Sequence, residues 1–188
     1  MATKVKAAIS NRAKARFIKD KIETQAYTDA VSRDIVEAGD STAIGRMGEY
    51  VVMEALEDLG FKVKLLNGTD ACDLLIKVGQ QWKRVEVKTS KVGLHTHLNK
   101  DGIRNKKFVF NAIKTQLFDM LVLVFVDYDK TVIKVGGKEA KKFVNLWGSN
   151  GRNGINLCYY KDSYRHPKEF GHEIFTEINK KNVKLALK

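Results

Sequence analysis

Asp73 stands thirteen positions before Glu86, and between them lies the dipeptide Gly79-Gln80, with glycine where a type II′ hairpin turn needs it. Such a turn pairs 78 with 81 and therefore 73 with 86. Two carboxylates opposed across antiparallel strands lie roughly 5 Å apart and repel, and a cation between them is the simplest resolution. Oxygen ligands without His or Cys suit Mg2+, with Mn2+ as a substitute. Strand alternation puts Asp73, Leu75, Lys77, Trp82, Arg84, Glu86 and Lys88 on one face and Leu74, Ile76, Val78, Val85 and Val87 on the other. The second set is a core face; the first is where chemistry would sit. Lys88, one pleat from Glu86, is placed to orient or help deprotonate an attacking water, or to neutralise charge on a pentavalent phosphate. The plain alternative is a solvated strand face with incidental charges.

Three runs resemble the PD-(D/E)xK nuclease superfamily, which includes many restriction endonucleases and the archaeal Holliday-junction resolvases: Gly45-Arg46-Met47-Gly48-Glu49, Asp73-Leu74-Leu75-Ile76 and Val85-Glu86-Val87-Lys88-Thr89-Ser90. The resemblance spans residues 42–127. It implies that Asp73 and Glu86 bind the metal, that Lys88 is catalytic, and that Glu49 on the preceding helix completes the metal site. One position departs: Cys72 stands where the family name has Pro, and it has no role in the chemistry. The expected fold is a restriction-endonuclease-like α/β core with a mixed central β-sheet flanked by helices, extended by helices at both ends. The expected activity is Mg2+-dependent endonucleolytic hydrolysis of DNA phosphodiesters, restriction-like or phage-type. The alternatives are a Holliday-junction resolvase and a non-catalytic nucleic-acid-binding protein on a nuclease-like core. Thr89 and Ser90 could donate hydrogen bonds to the scissile or adjacent phosphate. A homodimer would serve the cutting of two strands.

Thirty-four Lys and Arg oppose twenty-two Asp and Glu in 188 residues, a net charge of +12. That is the electrostatic footprint of a nucleic-acid partner, and the acidic pair is what a purely binding protein would not need. Two cysteines, Cys72 and Cys158, make neither a disulfide framework nor a Cys-rich zinc module. The longest apolar run, Met120 to Val126, is far short of the ~20 residues of a membrane span. No signal-peptide pattern opens the chain, so the expectation is a soluble cytoplasmic protein.

The elements follow from periodicity. Residues 1–39 read as a basic helical extension, with an amphipathic helix over 1–24 that either lies along phosphates or docks its apolar stripe, and a second helix from Tyr27 to Ala38. Residues 40–147 read as the nuclease core. Its first helix runs from about Thr42 to Leu59, stopped by Gly60, with a stripe of Ile44, Met47, Val51, Ala55 and Leu59. Gly45 and Gly48 each weaken it by roughly 1 kcal/mol relative to Ala, which suggests a close backbone approach. Phe61 to Leu66 is a strand, 71–78 and 82–90 the hairpin, and Asp119 to Val126 a central strand covered on both faces. Lys91 to Lys107 reads as a DNA-contacting loop carrying Lys91, Arg104, Lys106 and Lys107, with His95 and His97 as surface or phosphate-contacting residues. A short helix is expected over Ala112 to Leu117, then a strand over Thr131 to Val135 and a helix from Gly136-Gly137 to Leu146. Residues 148–188 read as a loop over 148–154, where Arg152 could reach a groove, and a last helix over 168–186 packed on the same domain.

Overall fold

The computed structural model describes residue 16 and residues 41–66, 72–98, 104–127, 130–161, 164–169 and 173–188. The helices expected over 1–24 and 27–38 lie outside these residues, apart from Arg16, whose guanidinium pairs with Glu57 at 3.0 Å. In chain order the elements are helix α1 (Ser41–Asp58), strands β1 (Val63–Leu65), β2 (Leu74–Val78), β3 (Gln81–Lys91), β4 (Gly93–Leu98), β5 (Arg104–Ile113), β6 (Met120–Val126) and β7 (Thr131–Gly136), helix α2 (Lys138–Trp147), strands β8 (Ser149–Gly151), β9 (Gly154–Tyr160) and β10 (Thr176–Glu177), and helix α3 (Lys180–Ala186).

A strand apolar at every position must be covered on both faces, and β6 organises the fold accordingly. It sits inside a mixed six-stranded sheet ordered β1-β2-β3-β6-β7-β10, in which only β3 and β6 are parallel. Met120, Val122 and Val124 point into one core, against Met47, Tyr50 and Leu56 of α1 and Val183 of α3. Leu121, Leu123 and Phe125 point into a second core, closed by α2 and by an antiparallel four-stranded sheet ordered β4-β5-β9-β8. Phe108, Phe110 and Tyr159 meet Phe125 there edge-on, with centroids 4.8 to 5.3 Å apart. The architecture is thus mixed α/β with a central mixed sheet flanked by helices.

The β2–β3 hairpin has the expected register, Leu74 opposite Val85 through Val78 opposite Gln81. Gly79 takes φ +60°, the conformation that a type II′ turn asks of its first central residue. Several expectations are overturned. Within the expected 91–107 loop, Lys91 ends β3, and 93–98 and 104 onward form the antiparallel β4–β5 pair. The segment expected to be helical at 112–117 ends β5 in a bulge, with Ala112 at φ +57°, and then turns. The expected 148–154 loop is a hairpin, β8 to β9. The last helix begins only at Lys180, capped by Asn179, whose side chain accepts from the Asn182 amide at 2.9 Å. Upstream of it, Thr176 and Glu177 pair with β7, while Phe175 is wholly buried in the second core. Helix α1 buries Ala43, Met47, Tyr50, Val52, Met53 and Leu56, a wider arc than the expected stripe, of which Ile44, Val51, Ala55 and Leu59 are only partly buried.

Close approach occurs at one of the two α1 glycines. A Cβ on Gly48 would collide with Thr89 Oγ1 and stand 2.9 Å from Thr89 Cβ, whereas a Cβ on Gly45 meets nothing within 4 Å. The two alanine substitutions should therefore move stability in opposite directions. Gly45→Ala should stabilise by up to about 1 kcal/mol through helix propensity. Gly48→Ala should destabilise by about 1–3 kcal/mol through overpacking, with part recovered by adding Thr89→Ala. Urea midpoints of the three variants against wild type measure this; a stabilising Gly48→Ala would show that α1 does not lean on β3 there.

Candidate active site

The site forms where β2 and β3 part. Their ladder closes at Leu74 opposite Val85, and just beyond it the Asp73 amide still donates to the Val85 carbonyl at 3.1 Å. The next β3 donor, the Val87 N–H, goes instead to the Asp73 carboxylate at 2.7 Å. A side chain has taken the place of a neighbouring strand, satisfying an amide that would otherwise be orphaned and fixing Asp73 near Glu86, whose pKa its charge raises. Glu86 is only 7% exposed, because β3 is an inner strand with β6 on its other side. Lys88, on the same strand face, places Nζ 2.7 Å from Glu86 Oε1.

Helix α1 delivers the third carboxylate. Because Gly48 lets the helix lie against Thr89, its neighbour Glu49 is carried close enough to Asp73 and Glu86 for both charges to act on it. Arg46, one turn earlier, holds Glu49 at 2.6 Å and also donates to the Leu66 carbonyl at 3.0 Å. Arg46 lies in the family-like run, and the resemblance assigns it no role. The signal was present, since residues three apart on a helix are neighbours and an Arg–Glu pair at that spacing is an ion pair. Lys114, just past β5, is a second group that sequence reasoning missed: its charge reaches Glu86.

Electrostatics separate this cluster from a solvated strand face. Burial raises the pKa of Glu49, the charge of Asp73 raises it further, and despite Arg46 it is pushed up to about 7. Asp73 is raised by burial, against the Val87 amide, Lys88 and Arg46. Glu86 is raised by burial and by Asp73, against Lys88. At all three acids, burial thus outweighs the nearby positive charge. Among the described residues no group of three or more His, Cys, Asp or Glu side chains is arranged to hold a metal ion as it stands; Arg46 and Lys88 occupy two of the carboxylates. The donor set, three carboxylates with raised pKa values and no soft ligand, fits a hard divalent cation.

The residues expected to contact DNA divide into two groups. Thr89 Oγ1 is buried against Gly48 and Ser90 is buried. The Ser90 hydroxyl accepts from the Val109 amide at 2.9 Å and donates to the Lys91 carbonyl at 3.2 Å, so these two hydroxyls serve packing and the tie between β3 and β5 rather than an open phosphate site. Lys91 and Lys106 are exposed, Lys107 is half-buried on β5, and Arg152 is exposed at the β8–β9 turn. Arg104 begins β5 opposite Leu98. Asp127 accepts from the Tyr164 hydroxyl at 2.8 Å and pairs with Lys161 at 3.3 Å, a structural role.

No protein-family model matches the chain, and no curated protein matches it. Among solved structures it is similar to that of a bacterial homing endonuclease, with a TM-score of 0.46 and 18% identity, over 79% of this chain and 94% of that one. No helix among the described residues is long and apolar enough to cross a membrane.

The raised Glu49 pKa has a defined sign in stability. The folded chain keeps the proton up to about pH 7, while the unfolded chain releases it near 4.5, so stability falls as pH rises through that window, by about 3 kcal/mol at most. Glu49→Gln removes this loss. Melting temperatures of variant and wild type should agree best near pH 4.5 and diverge in favour of the variant towards pH 7.5. Parallel curves would mean that Glu49 titrates as an ordinary surface glutamate.

Proposed function

We propose that the protein is a Mg2+-dependent endodeoxyribonuclease that hydrolyses phosphodiester bonds at the Asp73–Glu86–Lys88 site, with Glu49 completing the metal ligands. The observation that carries this reading is the convergence of Asp73 and Glu86 where a strand pair ends, close enough for the charge of one to raise the other's pKa, with the Lys88 ammonium 2.7 Å from Glu86, in a chain of net charge +12. Surface stability does not account for such an arrangement, because facing carboxylates destabilise a sheet. A divalent ion held by Asp73, Glu86 and Glu49 would supply the charge that a phosphoryl group needs as it is displaced. The chain's own groups do the rest. The Val87 amide holds Asp73 in position, Arg46 holds Glu49, and Lys88 orients the attacking water and offsets charge developing on the phosphate oxygens. The water oxygen bonds to phosphorus in line with the ester oxygen that departs. Lys91, Lys106, Lys107 and Arg152 add phosphate contacts that fix position without reading sequence.

Restriction-like or phage-type duplex cleavage is the form we favour, because the β4–β5 and β8–β9 hairpins provide surface beyond the site itself for recognition. Plasmid, linear duplex and four-way junction, each incubated with Mg2+ and with EDTA, separate the possibilities: discrete fragments support this form, and junction-only cutting would make the protein a resolvase.

Asp73→Asn and Glu86→Gln should abolish cleavage while leaving DNA affinity unchanged or tighter, since each removes a charge that repels phosphate. Lys88→Ala should slow the single-turnover step by about 100-fold or more, and Lys88→Arg should not restore it, because a planar guanidinium does not replace a compact ammonium. A Lys88→Ala rate within about tenfold of wild type would remove the lysine from the mechanism. Mg2+ should also raise the melting temperature of wild type more at pH 8 than at pH 5, since the ligands must be ionised to bind it. An equal rise in Asp73→Asn would place the ion elsewhere.

A further inference from the structure

The face of β1, β2 and β3 that carries Glu86 and Lys88 continues away from the site as a basic row with one aromatic residue in it. The register puts Lys64 beside Leu75 and Leu75 beside Arg84, and Lys77 beside Trp82, so Lys64, Lys77, Trp82, Arg84, Glu86 and Lys88 share one face. Alternation adds Lys62, whose carbonyl accepts from the Lys77 amide at 2.9 Å. Helix α1 covers the opposite face, through Leu74, Ile76, Val85 and Val87. Lys62 and Lys64 are exposed, and Trp82 is 37% exposed, with the Lys64 ammonium 4.6 Å from its ring centroid. Trp82 stands four residues along β3 from Glu86, about 13 Å at the rise of a strand.

We propose that this face is a docking platform for a single-stranded segment of DNA, with Trp82 stacking on an unpaired base and Lys62, Lys64 and Lys77 tracking the adjoining phosphates. The inference rests on the nuclease reading above and gives it a substrate feature: the duplex cut at the carboxylates continues into an unpaired strand on the Trp82 side. Charge complementarity selects the occupant, since a row of lysines, two of them exposed, suits a polyanion. The aromatic ring selects the form of that polyanion. A duplex keeps its bases stacked inward and offers a flat protein surface only backbone, whereas an unpaired base presents a π-face that stacks on tryptophan whatever its identity. On binding, the flexible Lys64 side chain exchanges the ring for a phosphate.

The test measures binding in EDTA, so that nothing is cut, using an oligothymidine strand and a blunt duplex of the same length. Trp82→Ala should weaken binding of the strand by about tenfold and of the duplex by less than about twofold, and Trp82→Phe should recover most of the loss. In a Trp147→Phe chain, where Trp82 is the only tryptophan left, its fluorescence should be quenched by the strand. Replacing Lys62, Lys64 and Lys77 together by Ala should flatten the salt dependence of strand binding by about 2 in log–log slope. Strand affinity of Trp82→Ala within about twofold of wild type, or equal losses on strand and duplex, would overturn the platform. Cleavage in Mg2+ of plasmid, four-way junction and a duplex with a single-stranded tail is scored separately. Active wild type with an indifferent Trp82→Ala sinks this inference alone, and inert wild type with intact stacking sinks the nuclease reading alone.

Discussion

The hydrogen bond from the Val87 amide to the Asp73 carboxylate is the constraint on which the site depends. Where two antiparallel strands separate, the inner one is left with donors that no longer have a partner, and buried donors must find one. Here the acceptor is a side chain. The bond terminates the β2–β3 ladder, holds one carboxylate in a fixed position, and obliges the next outward-facing residue of β3, Glu86, to share its surroundings. Every later feature of the site follows from that shared space: the raised acids, the Lys88 ammonium drawn to Glu86, and the Arg46 guanidinium drawn to Glu49.

A second constraint places the third carboxylate. Helix α1 contributes Glu49 only because Gly48 has no side chain to stand between the helix and Thr89. A glycine inside a helix costs about 1 kcal/mol in propensity, and here that cost is offset by contact: Met47, Tyr50 and Leu56 of the same helix reach the core beneath β3 and β6. Packing and chemistry are therefore coupled through one position, since what seats the helix also sets the distance from Glu49 to the other acids.

Much of this was legible in the sequence because it is written in short-range rules. Gly79-Gln80 fixed the hairpin register, alternation sorted its two faces, and the unbroken run from Met120 to Val126 identified the central strand with a core on each side. What was not legible depended on distant partners. Residues 93–98 and 104–107 are rich in polar and basic side chains and read as a loop, yet β4 and β5 form because Phe108 and Phe110 lie over Phe125, and the chain before them pairs with itself. Ala112 to Leu117 has helical composition, but Ala112 is held at φ +57° where β5 bulges against β9. The last helix is shorter than the expected 168–186 because Phe175 fills the second core and Thr176 extends the sheet edge, contacts that local spacing does not show. Thr89 and Ser90 looked like open hydroxyls, since nothing local shows that α1 covers one and β5 engages the other.

Arg46 and Lys88 have a role that the separate contacts do not reveal. Three acids, one buried and two partly buried, with raised pKa values cannot all be ionised without cations nearby, and a rigid, permanently matched set of cations would make the cluster an ordinary ion-pair network. The match here is incomplete: Asp73 is answered by a backbone amide, Glu49 by one guanidinium, Glu86 by one ammonium, and all three still sit above their usual range. Residual demand for positive charge is what a binding site for a divalent cation requires, and it is also a local destabilisation that must be carried by the rest of the fold. The two cores around β6 carry it. A locally unfavourable choice must be compensated elsewhere, and here the charge deficit lies on β3, beside a strand, β6, whose residues from Met120 to Phe125 are each at most 1% exposed.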